Sequence, residues 1–314
     1  MNVLFLDTSH PVLEQELEKA GFQCTFWNKV DPLAKAISSS SGLIVRSKIK
    51  IDRALIDAAP QLRFIGRIGA GMENIDVKYA NSKGIQVFNS PEGNRDAVAE
   101  HALGMLLALM NHMLTADAEV RKAIWKREAN RGTEIKDKTI GIIGFGNMGS
   151  AFAQRLNGFD CTIIAYDKYK KGFGNQLVAE VDYATIFQKS DILSLHVPLT
   201  DQTHHLVNND YLNKFKKPIW IINTSRGPVV DTSAILSGID KGLIRGAALD
   251  VLEFETYSFD KLHDLPDTFQ KLVASPKVIL SPHIAGWTFE SKVKLSKYLA
   301  QKIVAAKNEG KLQE

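Results

Sequence analysis

Cysteine is nearly absent: Cys24 and Cys161 are the only two in 314 residues. Each lies in an apolar run, FQCTFW and FDCTIIAY, so they read as reduced core thiols. A pair of this kind gives no disulfide framework and fits a reducing compartment. Blocks of like charge are missing too. The chain carries 39 Lys and Arg against 35 Asp and Glu, a net +4 spread along its length. That balance excludes nucleic acid as the main partner. No apolar run reaches the ~20 residues of a membrane helix. The most apolar helical stretch, ALGMLLALM (102–110), sits between His101 and Asn111 and reads as buried. The N-terminus MNVLFLDTSH has neither the basic region nor the apolar core of a signal peptide. A soluble, cytoplasmic protein with no membrane partner is expected. No second histidine or cysteine stands near His283 to make a metal pair, and no metal is expected.

What is present is alternation. Apolar strand candidates at 3–7, 24–27, 42–47, 63–69 and 85–90 are separated by helical patterns; in PVLEQELEKAGF, for example, Gly21 stands as a helix C-cap. A second series follows: TIGIIGF (139–145), CTIIAYD (161–167), DILSLHVP (191–198), IWIINTS (219–225), RGAALDV (245–251) and KVILSP (277–282). Such alternation predicts parallel sheets with helices on both faces. The run from Asn94 to Trp125 reads as one long helix, and 291–308 as an amphipathic one. Length and 45% hydrophobic content allow two domains, each with its own core.

GFGNMG follows the strand TIGII and opens the helical run SAFAQRLNGF. Gly144, Phe145, Gly146, Asn147, Met148 and Gly149 thus occupy the strand–turn–helix setting in which a G-x-G-x-x-G turn cradles a pyrophosphate. The next strand ends in Asp167, 18 residues past Gly149. A carboxylate near that ~20-residue spacing binds ribose hydroxyls and repels a 2′-phosphate, so NAD is the expected cofactor. Ligands of open α/β sheets bind beyond the carboxyl ends of the strands. Those ends carry Asp167, His196 with Val197 and Pro198, Thr224, Ser225 and Arg226, Asp250, and His283 with Ala285 and Gly286. Any one could cap a strand or pin a turn. Together they mark a site.

At this point the sequence resembles the D-isomer-specific 2-hydroxyacid dehydrogenases over nearly its whole length. VRS (45–47), GAGMENID (69–76), NSPEGNRDAVAEHALGMLLAL (89–109), LHVPLT (195–200), INTSRGPVVD (222–231), GAALDV (246–251) and SPHIAGWT (281–288) stand in the family's order. The resemblance implies an α/β fold of two Rossmann-like, doubly wound parallel-sheet domains joined by long crossing helices. Residues 1–93 and 287–314 would form a flavodoxin-like substrate-binding domain, and 94–286 the NAD-binding one. It also implies a homodimer paired through the NAD domains.

The resemblance assigns catalysis to Arg226, Glu255 and His283, and the chemistry needs these types. Histidine can protonate a developing alkoxide near neutral pH. A carboxylate on the imidazole orients it and favours its charged form. Arginine forks onto the substrate carboxylate as lysine cannot. Alone, Arg226 and Glu255 would read as a surface ion pair, and His101 and His112 as ordinary helical residues. Arg46, Ser47, Gly69, Ala70 and Gly71 fall where the resemblance implies substrate contacts, beside Arg226 and His283. The loop DVLEFETYSFDKLHDLPDTF (250–269) departs from the family pattern. Spacing favours Glu255 over Glu253 there as the partner of the histidine. Arg46, Lys48, Lys50, Arg67 and Arg127 suggest a second anion on the substrate, resembling 3-phosphoglycerate dehydrogenases within the family. Interconversion of 3-phosphoglycerate and its 2-keto acid is therefore expected. Glycerate or hydroxypyruvate chemistry is the alternative, and an NAD-sensing corepressor the non-enzymatic one. Formate dehydrogenases share the fold, but they pair the histidine with glutamine. The chain ends at Glu314, so feedback through an appended C-terminal domain is not expected.

Overall fold

Apolar runs of four to six residues become the longer strands, because a strand covered by helices on both faces must be apolar on both. The computed structural model describes residues 1–256, 262 and 265–312. They form two compact units: Met1–Asn94 with the segment from Trp287 onward, and Arg95–Glu255 with Leu262–Gly286.

In the first unit, β1 (Asn2–Phe5), β2 (Gln23–Phe26), β3 (Gly42–Val45), β4 (Phe64–Arg67) and β5 (Gln86–Asn89) make a five-stranded parallel sheet in the order β2-β1-β3-β4-β5. The two-residue period sorts their side chains. Val3, Phe5 and Phe64 pack with Leu13, Leu17, Leu299 and Ile303 on one face; Leu4, Leu43, Val45 and Ile65 pack with Ile37 and Ile56 on the other. Each such side chain contributes about 1.5–3 kcal/mol by leaving water. The helix Phe289–Asn308 starts at a capping box between Thr288 and Ser291 and buries Leu295, Leu299 and Ile303. The strand order reverses between β1 and β3, so a ligand crevice is expected beyond their carboxyl ends.

The second unit holds β6 (Thr139–Ile143), β7 (Thr162–Tyr166), β8 (Ala179–Glu180), β9 (Ile192–Leu195), β10 (Ile219–Asn223), β11 (Ile244–Leu249) and β12 (Val278–Leu280), in the order β12-β11-β10-β9-β6-β7-β8. Every pairing is parallel. Ile140, Ile142, Trp220 and Ile222 face Leu106, Leu109 and Phe152; Leu193, Leu195, Ile219 and Ile221 face Ile186, Leu212 and Ile235. The switch point lies between β6 and β9, where the glycine-rich loop and His196 emerge.

One element differs from expectation. The run 94–125 is not one helix but two, Arg95–Met110 and Met113–Val120, bent by 61°. His112 takes a left-handed conformation (φ 51), Asn111 Nδ2 turns back to the Leu107 carbonyl, and Thr133 N–H takes the Met110 carbonyl. These contacts end the helix without Gly or Pro. Among the described residues no single helix is long and apolar enough to cross a membrane.

Candidate active site

The dinucleotide loop is shaped by contact. Gly144 has φ +90, and a Cβ there would run into the His196 carbonyl oxygen; a Cβ on Gly149 would strike the Gly144 carbonyl. Only glycine lets the loop lie this close to β9 and the following helix to β6. That helix, Asn147–Arg155, starts from Gly146 without a side-chain cap, which leaves its first N–H groups for an anion. Asn147 and Met148 open it, half-buried. Phe145 is buried and stacks on Phe173 with ring centroids 4.6 Å apart.

Asp167, just past β7, does more than its position alone implied. Its Oδ2 takes the Phe145 N–H at 2.8 Å, and its Oδ1 takes the Tyr169 and Lys170 N–H groups at 2.9 Å. The carboxylate therefore ties the glycine loop to the β7 exit. Burial pushes its pKa up, but those N–H groups and the Lys170 charge outweigh it and hold the pKa below the usual value. His196, just past β9, packs its ring on Phe152 at 5.4 Å, with Nε2 2.8 Å from Ser194 Oγ. Its Nδ1 is sealed from solvent without a partner, and burial lowers its pKa to about 4. Val197 and Pro198 carry the chain outward from it.

Beyond β10, buried Asn223 organises the Thr-Ser-Arg turn. Its Oδ1 accepts from Ser225 N at 3.0 Å and Ser225 Oγ at 2.7 Å, and its Nδ2 donates to the Arg226 carbonyl at 2.9 Å. Arg226 is extended, with Nη1 donating to the Ser225 carbonyl at 2.6 Å. Thr224 Oγ1 is buried without a hydrogen-bond partner in the protein.

His283 has a left-handed backbone (φ 54) and donates its N–H to the Asp250 carbonyl at 2.7 Å. Its Nδ1 lies 2.6 Å from Glu255 Oε2, and Glu255 Oε1 takes the Leu252 N–H at 2.5 Å. Glu253 turns elsewhere, to His205 Nε2 at 3.0 Å. Asp250, 1% exposed, accepts from Ser281 Oγ at 2.6 Å and from the Ile284 and Ala285 N–H groups at 2.9 Å. Burial would raise its pKa, yet His101, Ser281 and the two N–H groups hold it below the usual value. Ala285 is buried, and Gly286 ends the unit. Residues 257–261 and 263–264 of the departing loop lie outside the described residues. With Glu255 on Nδ1, proton exchange with a ligand falls to Nε2.

Arg46 and Ser47 leave the first unit's sheet just past Val45, which pairs with Arg67. The two arginines therefore stand on neighbouring strand ends. Asn74 Nδ2 pins this exit through the Arg46 and Ile49 carbonyls at 2.6 and 2.8 Å, and the Arg46 guanidinium lies 4.8 Å over the Trp287 ring. Gly69, Ala70 and Gly71 form the next loop, held by Ser90 on Gly69 and by Asn89 Nδ2 on the Ala70 carbonyl at 2.7 Å. Arg67 Nη1 donates to the Ile68 carbonyl at 3.0 Å. Lys48 and Lys50 are exposed on the loop after β3, and Arg127 belongs to the other unit. The five cations therefore do not form one cluster within either unit. His101, which the sequence left as an ordinary helical residue, places Nε2 3.0 Å from Ser281 Oγ.

Comparison with known proteins agrees with this architecture. The family described as D-isomer specific 2-hydroxyacid dehydrogenase, NAD binding domain, matches residues 103–285. The hydroxypyruvate reductase of Thermotoga maritima is 38% identical over 273 residues, 87% of either chain. The D-3-phosphoglycerate dehydrogenase of Archaeoglobus fulgidus is 35% identical over 276 residues, 87% of this chain but 51% of that protein. Among solved structures, the D-lactate dehydrogenase of Aquifex aeolicus complexed with NAD and lactic acid superposes with a TM-score of 0.82 at 28% identity, covering 99% of this chain and 97% of the other. The chain belongs to the D-isomer-specific 2-hydroxyacid dehydrogenases, NAD-dependent oxidoreductases of 2-hydroxy and 2-keto acids.

Proposed function

We propose that Arg226, Glu255 and His283 carry the interconversion of a D-2-hydroxy acid and its 2-keto acid. The observation behind this reading is the 2.6 Å pairing of Glu255 with His283 Nδ1, on a loop that the Asp250 carboxylate holds in place. NAD suits the residues present: the loop shaped by Gly144 and Gly149, the uncapped helix start at Gly146, the Asp167 carboxylate and the orphaned Thr224 hydroxyl. When bound, the reduced cofactor supplies the hydride. In reduction, His283 delivers a proton from Nε2 to the alkoxide oxygen, and Glu255 stabilises the imidazolium that gives it; in oxidation His283 is the base. A positioned acid–base group of this kind contributes ~10²–10⁴-fold in rate. Arg226 forks onto the substrate carboxylate and polarises the keto oxygen. His196, Val197, Pro198, Ser225, Ala285 and Gly286 line the cofactor's path along the strand ends.

For the substrate we propose 3-phosphoglycerate and its keto acid, phosphohydroxypyruvate. Arg226 answers one anion, and Arg46 and Arg67, on adjacent strand ends of the first unit, answer a second, with Ser47 and the Gly69–Gly71 loop beside them. A second reading, reduction of hydroxypyruvate, is favoured by the Thermotoga maritima relative, which this chain matches over 87% of its length. Turnover of NADH with phosphohydroxypyruvate, hydroxypyruvate and glyoxylate separates the two. Higher kcat/KM for the phosphorylated acid, lost in Arg46→Ala, supports the first. Equal values support the second, and no turnover of any 2-keto acid returns a binding protein of the corepressor kind.

We further propose that the active form is a cytoplasmic homodimer. Support comes from exposed Met113, Leu114, Val120 and Trp125, the last 78% exposed, and from a groove of about 720 Å³ lined by Ala108, Leu114, Ile124, Val273 and Ile279. Sedimentation tests this, with Leu114→Asp and Trp125→Asp expected to give monomers.

A further inference from the structure

Beneath the SPHIAG loop runs a chain of hydrogen bonds that proton transfer at His283 does not itself use. It begins at His101, on the helix Arg95–Met110, whose Nε2 lies 3.0 Å from Ser281 Oγ and 3.5 Å from Asp250 Oδ1. Ser281 has one hydroxyl hydrogen and three groups in reach that could take it: Asp250 Oδ1 at 2.6 Å, His101 Nε2 at 3.0 Å and Met105 Sδ at 3.6 Å. The carboxylate is charged and closer, so it takes the hydrogen. Ser281 Oγ is then left to accept, and the proton of the His101 imidazole sits on Nε2. Asp250 in turn receives the Ile284 and Ala285 N–H groups, and its carbonyl receives the His283 N–H. Three successive residues of the loop are thus tied to one aspartate. The first of them has φ 54, a conformation that a side chain larger than glycine keeps only when contacts hold it.

We propose that His101 is a positioning residue which, through Ser281 and Asp250, holds His283 in the backbone conformation that presents its imidazole to Glu255. This rests on the reading of His283 as the proton relay. Two features argue that the donor matters rather than the packing. Asp250 is almost fully buried, and a buried carboxylate depends on each of its donors. Ser281 also needs a donor on its oxygen to stay turned toward Asp250, and His101 Nε2 is placed to be that donor. With His101 gone, the hydroxyl can swing toward Met105, the carboxylate can turn, and the two loop N–H groups lose their fixed acceptor.

The experiment uses the full chain as His101→Leu, His101→Gln, Ser281→Ala and the His101→Leu/Ser281→Ala double variant. Leucine keeps apolar bulk without a donor, whereas glutamine carries an amide N–H that can replace the imidazole's. In turnover with NADH and the better of hydroxypyruvate and phosphohydroxypyruvate, His101→Leu should lower kcat about tenfold. Displacements of about 1 Å near reacting groups cost up to ~10²-fold. KM for both substrates should stay within about twofold, as expected when only transition-state placement is lost. His101→Gln should recover most of the loss. Ser281→Ala should match His101→Leu, and the double variant should be no worse than either, because both break one chain. In the cofactor-free protein, amide hydrogen exchange at Ile284 and Ala285 should quicken in His101→Leu and Ser281→Ala but not in His101→Gln. Wild-type kcat and exchange in His101→Leu would overturn the proposal. So would a glutamine variant as impaired as the leucine one, or losses that multiply in the double variant. If His101→Leu does not fold, Ser281→Ala and His101→Gln carry the same comparison. His283→Ala separates the levels: full turnover in that variant overturns the relay itself, whereas its collapse beside an unimpaired His101→Leu overturns only the part assigned to His101.

Discussion

Replacing Glu255 by glutamine removes a charge while keeping shape, and the structure says what must follow. The carboxylate serves two donors at once, His283 Nδ1 at 2.6 Å and Leu252 N–H at 2.5 Å. An amide has one oxygen to offer. Kept on Leu252, it turns its NH₂ toward Nδ1, which must then accept, and the imidazolium is excluded. Kept on the imidazole, it leaves a backbone N–H orphaned and a charge-assisted bond made neutral. A charge-assisted bond contributes about 1.5–3 kcal/mol against about 1 for a neutral one. The side chains are only 13% and 21% exposed, so water restores little. A loss of about 1–2 kcal/mol corresponds to a kcat about 5–30-fold lower in reduction at neutral pH. Direction matters as well. Reduction draws its proton from the imidazolium that the Glu255 carboxylate faces, so reduction carries the loss. Oxidation, which needs the neutral ring, loses less. Glu253 holds His205 and the Thr232 N–H instead, so Glu253→Gln should stay within about twofold of wild type. The assay is kcat in both directions for the two variants. Equal losses from both, or a larger one from Glu253→Gln, would refute the pairing.

Two other perturbations have definite outcomes. Asp167→Ala should narrow the preference for NADH over NADPH and also raise KM for NADH, because the same carboxylate holds the Phe145 N–H; equal use of NADPH by wild type would remove the basis for this. His196 governs acid stability. Its pKa is about 4 in the folded protein against ~6.5 unfolded. Above pH ~6.5 both states are neutral there and it has no effect. Between ~6.5 and 4 only the unfolded chain takes the proton, so stability falls as pH falls, by about 3 kcal/mol at the lower end. Urea midpoints across this window should fall less steeply in His196→Gln, and parallel slopes would count against a buried neutral imidazole.

The parallel sheets were legible because strands such as β10, IWIIN, are buried on both faces and read as unbroken apolar runs. Their ends were less so. GLIVRS leaves the sheet at Val45 and DILSLHVP at Leu195, where polar residues end the apolar run. β8, only Ala179–Glu180, is too short to leave a pattern. The break at His112 gave no signal, since it rests on hydrogen bonds from Asn111 and Thr133 rather than on Gly or Pro. Positions at strand ends brought Asp167, His196, Arg226, Asp250 and His283 into view, but not what each touches. Spacing alone could not separate Glu253 from Glu255; the turn that brings Leu252 N–H onto the Glu255 carboxylate does. The contact of His101 with the His283 loop was invisible because its partner Ser281 is 180 positions away.

The central claim is that His283 relays the proton. Its most direct test is single turnover of NADH with a saturating 2-keto acid in His283→Ala, with NADH binding followed separately by fluorescence. Hydride transfer should slow by ~10²–10⁴-fold, with NADH affinity within about twofold of wild type. Hydride transfer at the wild-type rate in a variant that binds NADH normally would contradict it.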